Sequence, residues 1–344
     1  MKSAMLYGAK DLRIVELPEP PPPGPGQVRV RFGAGGICGS DLSYFAKFKV
    51  GDFAVREPMI LGHEVAGEIA ETGSGVTRVK AGDRVAVNPN QPCRVCRTCV
   101  SGRGNLCLKM NFFGSAAVHP HIQGVFRESL VVPEDLCHKV PGSTDFRVAA
   151  MAEPLAVTMH AVNRAGPLIG RHVLITGCGP IGALTLMVAR RAGAATVTVT
   201  DLADNALARA RALGADATVN SATEAERVSS WAENKGTFDV AFECSGSMAG
   251  MHTAILSTAS GGRVVQVGMM GDTPVPINRL MSREVDFIGA FRFDTEYAWA
   301  VRDLAAGAID VGPLLTHSFP MAEAGAAFAV AADRAVSMKV HLTL

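Results

Sequence analysis

Apolar and polar positions along this chain follow one rhythm up to about residue 145 and another beyond it. In the first part, short β-branched runs such as Gln27–Phe32, Glu64–Glu71 and Arg84–Asn88 are separated by Gly and Pro, which predicts antiparallel strands joined by loops. The run from Pro18 to Pro25 predicts a stiff, extended surface connection within that region. From about Phe146 the pattern alternates between strand and helix, the signature of a parallel sheet with crossover helices. Apolar strands are predicted at His172–Thr176, Thr196–Thr200, Ala217–Asn220, Phe238–Glu243, Arg263–Gly268 and Val285–Phe291. Helices are predicted at Pro180–Ala192 and at Asn205–Leu213, the second ending at Gly214. Six such strands suit a doubly wound sheet.

Length and charge narrow the class. A chain of 344 residues exceeds what one hydrophobic core usually organises, so two domains are expected. Lys+Arg number 33 against 32 Asp+Glu, a net charge of +1 that gives no basic field for nucleic acid and no polybasic membrane signal. The opening MKSAMLYGAK lacks an apolar signal core, and no stretch approaches the roughly 20 apolar residues of a membrane span. The expectation is a soluble, cytoplasmic protein with a small-molecule partner. In that compartment the eight cysteines suggest metal ligands and free thiols rather than disulfides, with Cys137, Cys178 and Cys244 as small packing residues.

Half of the cysteines fall in one run, Cys93, Cys96, Cys99 and Cys107, spaced C-x2-C-x2-C-x7-C. Thiolates so spaced can converge on one ion, and four sulfurs complete a tetrahedral zinc shell that braces structure and leaves no position open for a substrate. Ferredoxin-type clusters also use C-x2-C-x2-C, but the seven-residue last gap and Leu108 in place of proline favour zinc. A second motif, Gly177-Cys178-Gly179-Pro180-Ile181-Gly182, stands between a predicted strand and a predicted helix. Glycines there allow a tight turn, let backbone approach a pyrophosphate and let the helix pack on the strand, while the helix N-terminus favours the anion. Asp201 closes the next strand, where a carboxylate holds both ribose hydroxyls and repels a 2′-phosphate, favouring NAD over NADP. A helix N-cap is the alternative role for Asp201, and the two can coexist.

A third constellation pairs Cys38-Gly39-Ser40-Asp41 with Gly62-His63-Glu64. Cys and His suit a catalytic zinc, which takes three protein ligands and keeps a fourth position open. Glu153 is the only charge in Val148–Val162, VAAMAEPLAVTMHAV, and burying a lone carboxylate costs several kcal/mol unless a cation meets it. Glu153 is therefore one candidate third ligand, and Glu64, adjacent to His63, is its rival.

In order, Cys-Gly-Ser-Asp, Gly-His-Glu, the four-cysteine run, Ala-Glu-Pro-Leu-Ala and G-x-G-x-x-G resemble the zinc-dependent medium-chain alcohol and polyol dehydrogenases over essentially the whole chain. Glutamate in the Ala-Glu-Pro segment resembles the polyol branch, and GGICGSDLSYFAKFKVGDF, FFGSAAVHPH, AEPLAV and GAFRF resemble the L-idonate 5-dehydrogenases within it. The resemblance implies an α/β protein with two parts. Residues 1–146 and 289–344 would form a GroES-like β-rich catalytic domain holding a catalytic and a structural zinc. Residues 147–288 would form a doubly wound, parallel-sheet Rossmann domain for NAD. It further implies a homo-oligomer of two or four chains and oxidation of a secondary alcohol of a sugar acid, with neutral polyols or threonine-type amino alcohols as alternatives and a non-enzymatic NAD-binding protein as a distant one. Ser40 matches the hydroxyl that relays the departing proton. The family's onward histidine is replaced here by Ser43, which cannot hold a proton near neutral pH. Tyr44, Phe113 and Arg292 match substrate-pocket positions, Arg292 being suited to a carboxylate, with Lys49, His119 and His121 as further candidates for an anionic end.

Overall fold

In the first part of the chain, the strand Gln27–Gly36 alternates buried positions with half-buried or exposed ones until, near Gly35 and Gly36, both faces are covered. It is the hub of a seven-stranded sheet. Glu64–Thr72, Ser129–Pro133 and Lys339–Thr343 all pair with it in antiparallel fashion. Arg84–Val87 and Cys137–Lys139 extend one side, and Leu315–Pro320 closes the other by a parallel pairing. The computed structural model describes all of residues 1–344 and divides them into two units, Met1–Glu153 with Asp294–Leu344, and Pro154–Phe293. Both changeovers lie a few residues later than the expected 146/147 and 288/289. The physical reason at the first is Phe146, whose ring occupies the space beside Gly33 and lies under the Arg84 guanidinium, binding the helix Phe146–Ala150 to the sheet of the first unit.

Val28, Val30 and Phe32 point from the hub strand into a core shared with Leu6, Ile60, Ile69, Leu130 and Phe328. Phe126 packs edge-on against Phe328 there. The hairpin Lys2–Gly8 and Asp11–Glu16, which sequence pattern had not marked, covers part of this core. The proline run has no regular structure, and Arg29 Nη2 fastens it by hydrogen bonds to the carbonyls of Pro20 (3.1 Å) and Pro21 (3.2 Å).

The second unit carries six parallel strands in the order Ala217–Asn220, Thr196–Asp201, His172–Thr176, Phe238–Glu243, Thr258–Gln266, Asp286–Gly289. This is the doubly wound order, with its switch point between the third and fourth strands of that sequence. Helices Pro180–Arg191 and Asp204–Ala212 stand within a residue of their expected bounds. The fifth strand begins five residues before the expected Arg263. Its register to Phe238–Glu243 shifts near Val240, and Gly261 at φ +72° lets the chain bend without leaving the sheet. The sixth is shorter than expected and stops at Gly289. No helix is long and apolar enough to cross a membrane.

Candidate metal and nucleotide sites

Cys38 precedes the helix Gly39–Lys47 as its N-cap, and Asp41 accepts a hydrogen bond from the Cys38 amide (3.0 Å). The other oxygen of Asp41 accepts from the Gly62 amide (3.0 Å) and faces His63 Nδ1 at 3.7 Å. One fully buried carboxylate thus ties the Cys38 turn to the His63 turn. Glu64 begins the next strand opposite Gly36, and the ligating atoms of Cys38, His63 and Glu64 all lie within 4.8 Å of one another. That spread fits a shell with arms of about 2.0–2.3 Å. Gly36 has to be glycine, because a Cβ there would run into the Glu64 carboxylate and the Lys339 side chain.

Lys339 was not legible in the sequence pattern. Its ammonium donates to Glu64 Oε1 (2.6 Å) and to the Ile37 carbonyl (3.1 Å), and lies 2.5 Å from Glu64 Oε2 outside hydrogen-bonding alignment. Glu153 is also buried, on the first turn of the helix Ala152–Ala165, within electrostatic reach of His63, Glu64, Lys339 and Asp41. It is not one of the three groups that meet within 4.8 Å. Burial pushes its carboxyl up to about 7 despite the pull of His63. Burial alone would lower His63, but Asp41 and the Cys38 sulfur overcome it and hold the imidazole up at about 10. With Asp41, Glu64 and Glu153 buried against one buried lysine, the pocket has an excess of carboxylates that a divalent cation would satisfy. Ser40 lies half-buried two residues from Cys38, while Ser43 donates its hydroxyl proton to the Lys49 carbonyl (2.9 Å).

The second thiol-rich group is separate. Cys93, Cys96, Cys99 and Cys107 bring their sulfurs within 4.8 Å of one another, with Cys96 to Cys99 at 3.4 Å and Cys96 to Cys107 at 3.9 Å. A tetrahedron with arms of about 2.3 Å has edges of about 3.8 Å, so these sulfurs fit zinc. The Thr98 hydroxyl and backbone donors pull Cys96 down to about 5, while loss of water contact and the Cys96 sulfur push Cys99 up to about 12. The lobe is tied to the returning chain by Asp294, which accepts from the Gly104 amide (2.8 Å) and pairs with Arg94 (3.5 Å).

In the second unit, Gly177 turns at φ +86° and a Cβ on it would meet Ser245 Cα at 2.7 Å. Gly182 seats against the Gly177 carbonyl, and Gly179 caps the helix that Pro180 opens, with Ile181 half-buried behind. Nothing lies within 4 Å of where a Gly179 Cβ would be, so the helix N-terminus is open to an anion, which fits a dinucleotide. Asp201 accepts from the Cys178 amide (2.7 Å) and the Ala203 amide (3.0 Å); the helix N-cap itself is Ala203.

The proposed substrate residues are more scattered in environment. Tyr44 is buried and its hydroxyl accepts from the Ala116 amide (3.0 Å), and Phe113 is buried in the core of the first unit. Arg292 belongs to the second unit, at φ +54°, with its guanidinium 4.9 Å over the Phe291 ring. His121 is committed on both ring nitrogens, to the Val118 carbonyl and the Arg56 amide, and His119 faces Glu57 at 3.7 Å.

Comparison with known proteins agrees with this geometry. Residues 24–142 match the model of the alcohol dehydrogenase GroES-like domain, and residues 180–306 that of the zinc-binding dehydrogenase. The chain is 39% identical over 314 residues to an L-idonate 5-dehydrogenase (NAD(P)(+)) of Escherichia coli K12, covering 91% of this chain and 90% of that one. It is 40% identical over 324 residues to a sorbitol dehydrogenase of Arabidopsis thaliana, covering 92% and 88%. The crystal structure of the E. coli L-idonate 5-dehydrogenase superposes with a TM-score of 0.95 at 37% identity, over 100% of this chain and 98% of that one. The chain therefore belongs to the zinc-dependent medium-chain dehydrogenases, in their polyol and idonate dehydrogenase group.

Proposed function

We propose that this protein oxidises a secondary alcohol of a sugar acid of the L-idonate type, with NAD as hydride acceptor, in a soluble cytoplasmic homo-oligomer of two or four chains. The observation that carries the chemistry is the meeting of half-buried Cys38 with buried His63 and Glu64 within 4.8 Å, apart from the four-cysteine lobe. When bound, zinc supplies a Lewis acid that lowers the pKa of a substrate hydroxyl, and NAD supplies the hydride acceptor. The chain's own residues do the rest. Cys38, His63 and Glu64 hold the metal, Asp41 fixes the two turns that carry them, and Lys339 neutralises part of the carboxylate charge. Ser40 is the hydroxyl that takes the departing proton. The proton does not continue through Ser43, whose own hydrogen is given to Lys49, so it leaves through water or another group. Glu153, whose carboxyl burial pushes up to about 7 against the pull of His63, is a group able to exchange a proton near neutral pH. Gly177, Gly179, Pro180, Ile181 and Gly182 cradle the pyrophosphate, and Asp201 holds the ribose hydroxyls of NAD and disfavours NADP.

Arg292 is the residue that distinguishes an acid from a neutral polyol, because a guanidinium grips a carboxylate through two charge-assisted hydrogen bonds. Likeness to sorbitol dehydrogenases, as strong as that to idonate dehydrogenases, supports the neutral-polyol reading as the second one. Steady-state kinetics on a panel of aldonates and polyols with NAD and NADP separates them. Arg292→Ala should lower kcat/KM for L-idonate by about 10- to 100-fold, the worth of one charged hydrogen-bonded pair. The same variant should leave sorbitol turnover nearly unchanged. An equal fall for both substrates would refute the carboxylate role.

A further inference from the structure

Glu243 ends the strand Phe238–Glu243 beside the switch point, is fully buried, and has no ion-pair partner. Every group aimed at its carboxylate is a neutral donor. Ser245 donates its amide (2.8 Å) and its hydroxyl to Oε1, Gly246 donates its amide to both oxygens (3.1 and 3.2 Å), and Gln266 donates its side-chain amide to Oε2 (2.6 Å). The same Gln266 nitrogen donates to the Gly268 carbonyl (2.7 Å), and the Glu243 carbonyl accepts from the amides of Val267 (2.9 Å) and Gly268 (2.8 Å). One residue thus fastens two loops, Ser245–Ser247 and Gln266–Gly268. The loops are packed to the limit around it: a Cβ on Gly268 would meet Glu243 Oε2 at 2.7 Å, and the Ser245 backbone abuts Gly177 of the glycine turn.

A doubly wound sheet binds a dinucleotide as two mononucleotide halves across its switch point. The glycine turn and Asp201 lie on the half formed by strands 172–220, which takes the adenosine. Glu243 and its two loops lie on the other half, formed by strands 238–289, which takes the nicotinamide nucleotide. We propose that Glu243 is a positioning residue for the nicotinamide ring of the cofactor, acting through the two loops it binds rather than by touching the cofactor. A carboxylate is required because it accepts on both oxygens. Glutamine at this place would turn an amide N–H₂ toward the Gly246 and Gln266 amides, so either Gln266 turns its side chain over and loses its bond to the Gly268 carbonyl, or one loop moves away.

This inference rests on the reading of residues 154–293 as the NAD-binding unit, and titration of the full-length, zinc-loaded enzyme separates the two. NADH binding is followed by fluorescence and ADP-ribose binding by calorimetry, since ADP-ribose lacks the nicotinamide. Glu243→Gln should raise the Kd for NADH at least tenfold and change that for ADP-ribose less than twofold. Ser245→Ala, which removes a single hydroxyl from a half-buried position, should raise the NADH Kd about threefold with ADP-ribose again unchanged, and it decides the matter if the glutamine variant does not fold. Equal weakening of both ligands, or no weakening of NADH, would overturn the positioning role. A wild-type enzyme that bound neither ligand would instead overturn the NAD reading.

Discussion

Replacing Lys339 by Met removes the one buried ammonium that meets Glu64, and the size of the effect follows from burial. Lys339 is 3% exposed and Glu64 is not exposed at all, so water cannot replace the lost partner. An exposed pair would be worth about 0–1 kcal/mol, but truncating one member of a buried pair costs about 3–5 kcal/mol, because the other charge is left uncompensated. For a first unit of roughly 200 residues this corresponds to a fall in Tm of roughly 6–20 °C. Metal should change the outcome. With zinc stripped, the full loss appears; with zinc bound to Glu64, a dication takes over the work of the ammonium and the deficit should shrink to less than half. Urea unfolding of wild type and Lys339→Met, each with chelator and with saturating zinc, measures the four stabilities. A zinc-free deficit below about 1 kcal/mol, or one that zinc does not reduce, would refute the assignment of Glu64 as a shared partner of lysine and metal.

Glu153 gives a prediction in pH. Burial raises its folded pKa from the ordinary carboxyl value of 4.5 to about 7, so its contribution to stability is fully present below pH 4.5 and is lost as pH rises through 7. In zinc-free protein, wild type should therefore lose about 2–3 kcal/mol relative to Glu153→Gln between pH 5 and pH 8; parallel pH profiles for the two would contradict it. Asp201→Ala should raise the ratio of kcat/KM for NADP over NAD at least tenfold, since the carboxylate that repels a 2′-phosphate is gone, and an unchanged ratio would show that selectivity is set elsewhere.

Much of the second unit could be read along the chain because parallel strands covered on both faces appear as uninterrupted β-branched runs. His172–Thr176, Ala217–Asn220 and Phe238–Glu243 have the bounds that pattern gave them. Thr258–Gln266 begins before its β-branched run because Ser260-Gly261-Gly262, with the composition of a turn, forms a bend within the strand. Phe146 illustrates a different failure. The helix it opens looks like the start of the alternating region, and only its contact with Gly33 and Arg84 shows that it serves the earlier sheet. At the candidate metal sites, spacing within short motifs pointed to Cys38, His63, Glu64 and the four-cysteine run, and the structure brings each group together. Spacing could not reveal Lys339, 275 positions from Glu64, whose place is set by the pairing of Lys339–Thr343 against Gln27–Gly36. Asp294, which holds the four-cysteine lobe through Gly104, lies 190 positions away and was hidden for the same reason.

Metal content of three proteins bears most directly on the claim that one zinc site performs the chemistry and the other braces the fold. Wild type should hold two zinc ions per chain. Cys38→Ser should hold one, stay folded and lose dehydrogenase activity, whereas Cys99→Ser should hold one, lose stability or assembly, and keep its hydride-transfer step in the molecules that remain folded. One zinc per chain in wild type, or a folded and assembled Cys99→Ser enzyme that had lost hydride transfer, would contradict that division of labour.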